Sequence, residues 1–249
     1  MILAQKSLGQ HFLTNQHVLS TIVDALQIEK NDILLEIGAG PGYLTRKLLE
    51  HANEINAVEI DKRFQNFLDP LKEKHPGLNI FYDDFLKMNI KSLPSINKCA
   101  GNLPYNISMP IIERITSFLK PRVLVFMLAK GTADRLQAKP GQKEYSAGSI
   151  FAQSFYEVKL VAKVSKNLFQ PPPKIDSAIC RMVKKDVNTQ EILAFNRFVR
   201  SLFSYRRKTL HNAIKQIGHQ VPATLNHQAR IEHCSMQELM DLFHEIHPN

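Results

Sequence analysis

Four consecutive residues, Asn102-Leu103-Pro104-Tyr105, combine groups that suit chemistry on a flat amine. They follow the strand candidate 97–101, so we expect them where a buried strand ends. The Asn102 amide oxygen and the carbonyl of Leu103 or Pro104 can accept hydrogen bonds from an exocyclic amino group. Pro104 stiffens the turn, and Tyr105 offers a face for a base to stack on. The pattern favours a site for a planar amine such as adenine N6 over an ordinary strand-end turn.

A glycine-rich loop precedes this motif in the chain. Residues 36–42 read Glu-Ile-Gly-Ala-Gly-Pro-Gly, directly after an apolar strand candidate and before a helical pattern. Such glycines let the backbone approach a ligand closely. The spacing is not that of the dinucleotide fingerprint, and the carboxylate of Glu36 is poorly suited to a pyrophosphate. S-adenosylmethionine, which carries an ammonium and a sulfonium and no phosphate, fits the loop better.

Two more acids follow the next two predicted strands. Glu59 ends the second strand, where a carboxylate can accept both ribose hydroxyls of a cofactor. Asp84 ends the third strand and could accept the adenine amino group. Either acid alone is more typical of a solvated strand end. Together with Glu36 and the glycine loop, they indicate one cofactor site.

Composition favours an anionic partner. The 249 residues are 44% hydrophobic, and 32 Lys and Arg face 23 Asp and Glu, for a net charge of +9. The stretch 181–215 alone has nine basic residues against Asp186 and Glu191. Nucleic acid is the expected partner, although a solvated basic helical face would give the same count.

Other composition signals exclude several classes of protein. Cys99, Cys180 and Cys234 are widely separated, which indicates reduced thiols rather than a disulfide framework or a zinc site. The pair His244 and His247 lacks a third nearby ligand, so we expect no metal. The N-terminal residues form no apolar segment long enough for a signal peptide or a membrane span, and we expect a cytoplasmic protein.

Short apolar runs alternate with amphipathic helical patterns such as 43–51 and 63–74, which predicts a mostly parallel, Rossmann-like α/β sheet. The last two strands are joined by too short a loop for a parallel crossover, so we expect one antiparallel strand. The strand candidates are 32–37, 55–60, 78–82, 97–101, 121–128, 156–164 and 176–184.

The pattern changes after about residue 185. Apolar residues such as Phe195, Val199 and Leu202 recur at helical spacing, and no strand candidate follows. We therefore predict a cofactor-binding catalytic domain over 1–184 and a small all-α domain over 185–249.

Two unusual segments flank the predicted sheet. Residues 7–13 precede the first helix and could be a disordered arm. Residues 169–177 contain three consecutive prolines after Phe169. The prolines hold an extended loop, in which Phe169 either stacks on a base or packs in the core.

With these motifs in order, the chain resembles the rRNA adenine N6-dimethyltransferase family, most closely its bacterial small-subunit enzymes. The resemblance implies S-adenosylmethionine as cofactor and transfer of two methyl groups to N6 of each of two adjacent adenosines near the 3′ end of 16S rRNA. It implies a monomer that acts in small-subunit biogenesis. The matching segments are 8–13, 36–42, 58–61, Asp84, 101–108, 169–177 and 205–210.

The resemblance also assigns residues. Asn102 and Tyr105 would serve the target adenine. From their own chemistry we add Leu103 and Pro104, as carbonyl acceptors, and Phe169, as a stacking ring, to the predicted catalytic set. A basic group of the helical domain would bind RNA, namely Arg206, Arg207 and Lys208. The expected cofactor contacts are His11, Leu13, Gly38, Glu59, Asp84 and Asn102.

Two segments depart from the family pattern, and two rival functions stay open. Residues 129–131 and 146–149 lack the acid and the arginine usual there, which affects expected RNA or structural contacts only. The nearer rival is the resistance-type enzyme acting on large-subunit rRNA. Leu103, the proline run and the basic stretch favour the small-subunit enzyme. The farther rival is a non-catalytic assembly or transcription factor resembling mitochondrial transcription factor B, against which the intact acids argue.

Overall fold

A computed structural model of the chain describes residues 4–5 and 8–247, so Ser7 of the predicted N-terminal motif lies outside it. The chain divides into two compact units. The first comprises the described part of Met1–Ala133 together with Val158–Lys184, and the second comprises Asp134–Glu157 with the described part of Lys185–Asn249.

The first unit is built on a seven-stranded sheet in the order β4-β3-β2-β5-β6-β9-β7. Strands β2 to β6 pair in parallel, and β9 runs antiparallel to β6. This arrangement confirms the predicted Rossmann-like class. The strands are β2 Ile33–Ile37, β3 Glu54–Val58, β4 Leu78–Phe81, β5 Lys98–Asn102, β6 Val123–Ala129, β7 Tyr156–Val164 and β9 Ser177–Lys184.

A second, two-stranded sheet was not predicted. Its strands are β1 Phe12–Leu13 and β8 Phe169–Gln170, which pair antiparallel with Leu13 opposite Phe169. The pairing ties the N-terminal arm to the start of the proline loop. Residues 8–13 of the arm therefore belong to the folded first unit.

Helices cover the sheet because their apolar faces match its buried strands. All seven residues of β6 are buried, as expected for a central strand covered on both faces. The first helix begins at an Asn15 cap and buries its apolar face, including Leu19 and Ile22. The helices that begin in this unit are α1 Gln16–Leu26, α2 Tyr43–Leu49, α3 Gln65–Lys74, α4 Ser108–Phe118 and α5 Lys130–Gln137.

The second unit is helical around a core that includes Phe195, Val199 and Leu202. It contains one helix that the sequence analysis placed in the catalytic domain. That helix contributes Ile150 to this core, and its Ser154 Oγ accepts a hydrogen bond from the Asn196 amide at 2.9 Å. The helices are α6 Ala147–Phe155, α7 Thr189–Phe203, α8 Leu210–Gln216 and α9 Met236–Ile246. The second unit thus includes 134–157 in addition to the predicted 185–249.

The two segments that depart from the family pattern, 129–131 and 146–149, each lie at the start of a helix. Ser146 and Ser149 form a capping box that begins α6, with the Ser146 amide donating to Ser149 Oγ at 3.0 Å. Lys130 and Gly131 form the first turn of α5, directly after β6. Both segments begin a helix, which accounts for their small and polar residues.

Two further observations concern membranes and thiols. Across residues 4–5 and 8–247, no helix has the length and apolar character needed to cross a bilayer. Cys99, Cys180 and Cys234 are buried and lie outside any disulfide.

Candidate active site

The candidate site is a pocket in the first unit, at the carboxyl ends of β2, β3 and β5. The strand order reverses between β2 and β5, and open parallel sheets bind ligands at such a switch point. The arm closes one side of the pocket. The lining comprises residues 8–13, Leu19, Ile22, Glu36, 38–41, Tyr43, Leu44, Glu59, Ile60, Phe64 and 102–105.

Two glycines are required where the backbone is tightest. Gly40 has a φ of 54°, and its amide donates to Glu59 Oε2 at 2.7 Å. A side chain on Gly101 would begin 2.5 Å from the Ile37 carbonyl oxygen, so only glycine lets β5 run this close to β2. These contacts place the glycine loop between Glu59 and the end of β5.

Glu59 is held rigidly directly after β3. Its side chain is 4% exposed, and its Oε1 accepts a hydrogen bond from the Asp61 amide at 2.7 Å. Burial raises the pKa of Glu59. Each carboxylate oxygen retains a second lone pair, so the group can still accept ribose hydroxyls.

Glu36 is the most unusual acid of the pocket. It is 1% exposed, and within the described residues its Oε2 has no hydrogen-bond partner. Burial raises the pKa of Glu36 to about 7, with a contribution from the nearby charge of Glu59, and the hydroxyl and backbone amide of Thr45 offset this rise only in part. A buried acceptor without a donor lies where a cationic ligand would satisfy it, so the pocket fits S-adenosylmethionine.

The Asn102 amide already has a defined orientation. Its Nδ2 donates to the His11 carbonyl oxygen at 2.8 Å, which leaves Oδ1 as the acceptor for a ligand. The Pro104 carbonyl accepts from the Ile107 amide at 3.2 Å, whereas no bond among the described residues uses the Leu103 carbonyl. Leu103 is therefore the better candidate for the second acceptor.

Tyr105 is fixed at both ends of its side chain. Its hydroxyl lies 2.6 Å from Ser177 Oγ, and its ring stacks on His11 at a centroid distance of 6.0 Å. Burial raises the pKa of Tyr105, and the charge of Asp176 adds to this effect. His11 is itself bonded through Nδ1 to the Pro171 carbonyl oxygen at 2.8 Å. The arm, the tetrapeptide and the proline loop therefore meet here.

Two predicted site residues lie elsewhere. Phe169 is 4% exposed and belongs to the core of the first unit, so the predicted stacking on a base would require its ring to leave that packing. Asp84 follows β4 but is not part of the pocket lining. Its Oδ1 accepts from the Leu86 amide at 2.9 Å, and Lys87 Nζ lies 3.7 Å from Oδ2.

Sequence reasoning missed two apolar residues at the pocket. Tyr43 is 38% exposed and Ile60 is 47% exposed, and both line the pocket. Such large exposed side chains beside a glycine loop provide apolar surface for a flat ligand. Sequence reasoning could have found them from their positions, because Tyr43 directly follows the glycine loop and Ile60 directly follows Glu59.

The three residues predicted to bind RNA, Arg206, Arg207 and Lys208, differ in their contacts and exposure. Arg206 Nε lies 2.7 Å from Glu232 Oε2, and its Nη2 donates to the Lys143 carbonyl. Arg207 and Lys208 are exposed, and Lys208 Nζ lies 5.8 Å from the centre of the Tyr205 ring. Arg206 therefore holds its own unit together, and the other two residues face solvent.

Sheet order and pocket together define a Rossmann-like, S-adenosylmethionine-dependent methyltransferase. The solved structure of a dimethyladenosine transferase from Plasmodium falciparum superposes with a TM-score of 0.80 at 29% identity, covering 94% of this chain and 97% of that one. The 23S rRNA methyltransferase ErmE superposes with a TM-score of 0.73 at 21% identity, over 94% and 99% of the two chains. At that identity, the second likeness supports the fold alone.

The chain belongs to the ribosomal RNA adenine dimethylase family, whose model matches residues 1–247. It is similar to proteins named ribosomal RNA small subunit methyltransferase A. The relative from Chlorobium phaeobacteroides is 34% identical over 99% of this chain and 95% of its own length. The relative from Francisella tularensis subsp. novicida is 39% identical over 86% and 84%. These findings confirm the resemblance and the dimethyltransferase activity that it implies.

Proposed function

We propose that this protein transfers two methyl groups from S-adenosylmethionine to N6 of each of two adjacent adenosines near the 3′ end of 16S rRNA. It would do so in the cytoplasm, as a monomer, during small ribosomal subunit biogenesis. One observation carries the proposal: the Asn102 amide oxygen is presented at the pocket that also contains Glu36 and Glu59. The names of the similar small-subunit enzymes support the choice of RNA.

The cofactor would be held by groups of three kinds. Glu59 would accept the ribose hydroxyls, Glu36 would face the positive charge, and the backbone at Gly38 would allow close approach. His11 and Leu13 of the arm also line the pocket, and Asp84 is the proposed partner of the adenine amino group. When bound, S-adenosylmethionine supplies an electrophilic methyl group on a sulfonium.

The reactivity of the target amine would depend on two acceptors. The N6 lone pair is delocalised into the adenine ring, which makes the nitrogen a poor nucleophile. Asn102 Oδ1 and the Leu103 carbonyl would accept the two N6 hydrogens and favour a pyramidal nitrogen. Because this geometry develops towards the transition state, the two bonds would strengthen during the reaction. The released proton can pass to water after the transfer.

The remaining residues would position the RNA. Tyr105, held by Ser177, would stack on a base taken out of its helix. Arg207 and Lys208 would contact phosphates, since both are exposed. Arg206 would support them through its ion pair with Glu232.

Mass spectrometry of rRNA from cells that lack the gene tests the proposal. We expect dimethyladenosine to disappear from small-subunit rRNA and to return with the wild-type gene or with the Asn53→Ala control. Asn53 is an exposed asparagine at the opposite end of β3, bonded to the Lys30 carbonyl. The Asn102→Ala gene should not restore the modification.

Two other results would overturn the proposal. Loss of methylated adenine from large-subunit rRNA alone would identify the resistance-type activity. Unchanged modification of both rRNAs, with a defect in assembly or transcription, would identify a non-catalytic factor.

A further inference from the structure

The arm residue His11 is held between two anchors. On its C-terminal side, Phe12 and Leu13 pair with Gln170 and Phe169 of β8. On its N-terminal side, the neighbouring residue Gln10 donates from Nε2 to Asp61 Oδ2 at 2.7 Å. Position 9 is a glycine with a φ of 63°, a conformation that few other residues hold. Without Gln10, the β1 pairing, the bond from His11 Nδ1 to the Pro171 carbonyl and the ring contact with Tyr105 would still hold His11, but its N-terminal side would lose its side-chain contact with Asp61.

The contact between Gln10 and Asp61 is supported by several further hydrogen bonds. Asp61 is 6% exposed and accepts bonds from the Arg63 guanidinium, with Nε 2.9 Å from Oδ1. Gln10 Oε1 accepts the Gln5 amide at 2.8 Å, so both ends of the Gln10 amide are bonded. The Asp61 backbone amide also donates to Glu59. Asp61 therefore contacts the arm through its side chain and the cofactor carboxylate through its backbone.

The orientation of the Asn102 amide depends on this arrangement. A carboxamide can present either its oxygen or its NH₂ group to a ligand, and only the oxygen can accept a hydrogen from an amine. The bond from Nδ2 to the His11 carbonyl selects the useful orientation. That carbonyl belongs to the residue directly after Gln10, so the Gln10 bond to Asp61 restrains it from the N-terminal side.

From these contacts we infer that Gln10, through Asp61, is a positioning residue that holds the His11 carbonyl where it orients the Asn102 amide. The inference deepens the proposed function and rests on it, because Asn102 is taken as an acceptor for the target amine. It assigns to the arm a role in methyl transfer beyond covering the cofactor.

Gln10→Ala is the first test. At saturating S-adenosylmethionine, we expect its single-turnover methyl transfer to fall by about 10- to 100-fold, as for other small misplacements of a reacting group. The melting temperature should match that of Gln16→Ala, a control at an exposed glutamine on α1 whose Nε2 donates to the nearby Thr14 carbonyl. A wild-type rate in Gln10→Ala would overturn the inference.

An exchange of donor and acceptor separates positioning from general damage. Gln10→Glu alone would place a second carboxylate against Asp61 and should be at least as slow as Gln10→Ala. Adding Asp61→Asn removes the repulsion and supplies a donor to the new carboxylate, although the amide at position 61 loses the contact of Oδ2 with Arg63 Nη2. Asp61→Asn alone is the control for that loss. We expect the double variant to be faster than the product of the two single effects, and a rate equal to that product would contradict the role of this bond.

A spectroscopic measurement is independent of the RNA substrate. In a ¹H–¹⁵N spectrum, the side-chain amide of Asn102 is assigned by its loss in Asn102→Ala. We expect slow hydrogen exchange for this amide in the wild type and faster exchange in Gln10→Ala, with the side-chain amide of the exposed Asn66 as the reference. Equal exchange in both proteins would overturn the inference. If the wild type shows the slow exchange but methylates no small-subunit rRNA, only the proposed function fails.

Discussion

The two ends of the parallel sheet both contain buried charges, but only one end pairs them fully. At the amino end, Lys98 is 2% exposed and its Nζ lies 2.6 Å from Asp32 Oδ2, while Arg122 Nη2 lies 2.9 Å from Oδ1. At the carboxyl end, Glu36 is equally buried, and among the described residues its Oε2 has no partner. The same fold therefore satisfies one buried carboxylate and leaves another incomplete.

The pKa values show what this difference means. Burial alone would raise the pKa of Asp32, but its bonds with Lys98, the Glu29 amide and Arg122 bring it below the ordinary value. In the described part of the chain, no lysine or arginine lowers the pKa of Glu36 in this way; the Thr45 donors offset burial only in part, and the pKa rises to about 7. Paired charges at the amino end stabilise the fold. The unpaired acid at the carboxyl end lowers stability above pH 7, and in the proposed function it faces the positive charge of the cofactor.

Mutations at the amino end of the parallel sheet should mainly change the free energy of unfolding. Lys98→Met removes the partner of a buried carboxylate and should lower the free energy of unfolding by roughly 3–5 kcal/mol. Urea unfolding measures this change, with the exposed Lys91→Met as control. The folded fraction should bind S-adenosylmethionine with wild-type affinity. A stability loss below about 1 kcal/mol would show that the pair is not needed.

The carboxyl end should respond mainly in chemistry. Asn102→Ala should keep the fold and lower methyl transfer by roughly 10²–10³-fold, because it removes an acceptor that strengthens in the transition state. Single-turnover assays at saturating S-adenosylmethionine separate this loss from weaker cofactor binding. A normal rate under those conditions would contradict the role assigned to Asn102.

The two ends of β3 offer a direct comparison for cofactor binding. Glu59→Ala should weaken S-adenosylmethionine binding by roughly 1–3 kcal/mol through loss of charge-assisted hydrogen bonds. Glu54→Ala, at the other end of the same strand, should leave it unchanged. Titration calorimetry on both folded variants measures the difference. Equal affinities would remove Glu59 from the cofactor site.

The smallest expected effect concerns the second unit. Arg207→Ala with Lys208→Ala should weaken RNA binding and reduce the slope of log affinity against log salt by about 0.7–0.9 for each phosphate that is no longer neutralised. Arg206→Ala should instead lower the melting temperature, because it leaves Glu232 without its ion pair. Filter binding across a salt series measures the slope. An unchanged slope in the double variant would show that these residues form a solvated face only.

The sequence predicted the strands and helices that have a clear apolar pattern, but not the very short strands. The seven main strands were located within about two residues because apolar runs of that length are distinctive. The strands β1 and β8 have two residues each, too few for any pattern. Their pairing is what buries Phe169, so its place in the core was not predictable from its position beside three prolines.

Side-chain roles that depend on partners far away in the sequence could not be predicted either. The acids at the strand ends were predictable because parallel strands bring their carboxyl ends to one edge. The ion pair of Arg206 joins residues 26 positions apart, and Gln10 bonds to Asp61 across 51 positions. Neither partner is marked by spacing or composition. Residues 134–157 belong to the second unit because α6 packs against α7, and this packing could not be predicted from the sequence.

The free energy of unfolding gives a first indication of the state of Glu36. Its pKa is higher in the folded protein than the ordinary 4.5, so the folded state binds the proton more tightly. Stability should therefore fall as pH rises from 4.5 towards 7. Without cofactor, Glu36→Gln should unfold at a higher temperature than the wild type at about pH 8 and at a similar temperature at about pH 4.

Calorimetric titration of S-adenosylmethionine into the wild type and Glu36→Gln, at about pH 6 and about pH 8, tests the unpaired acid most directly. Only ionised Glu36 attracts a cation, and its pKa of about 7 lies between the two conditions. The ratio of the two dissociation constants cancels the ionisation of the ligand itself. We predict that the variant binds more weakly and that this ratio grows by about tenfold from the lower to the higher pH. A ratio near one at both pH values would contradict the account of Glu36 as an acid held for the cofactor.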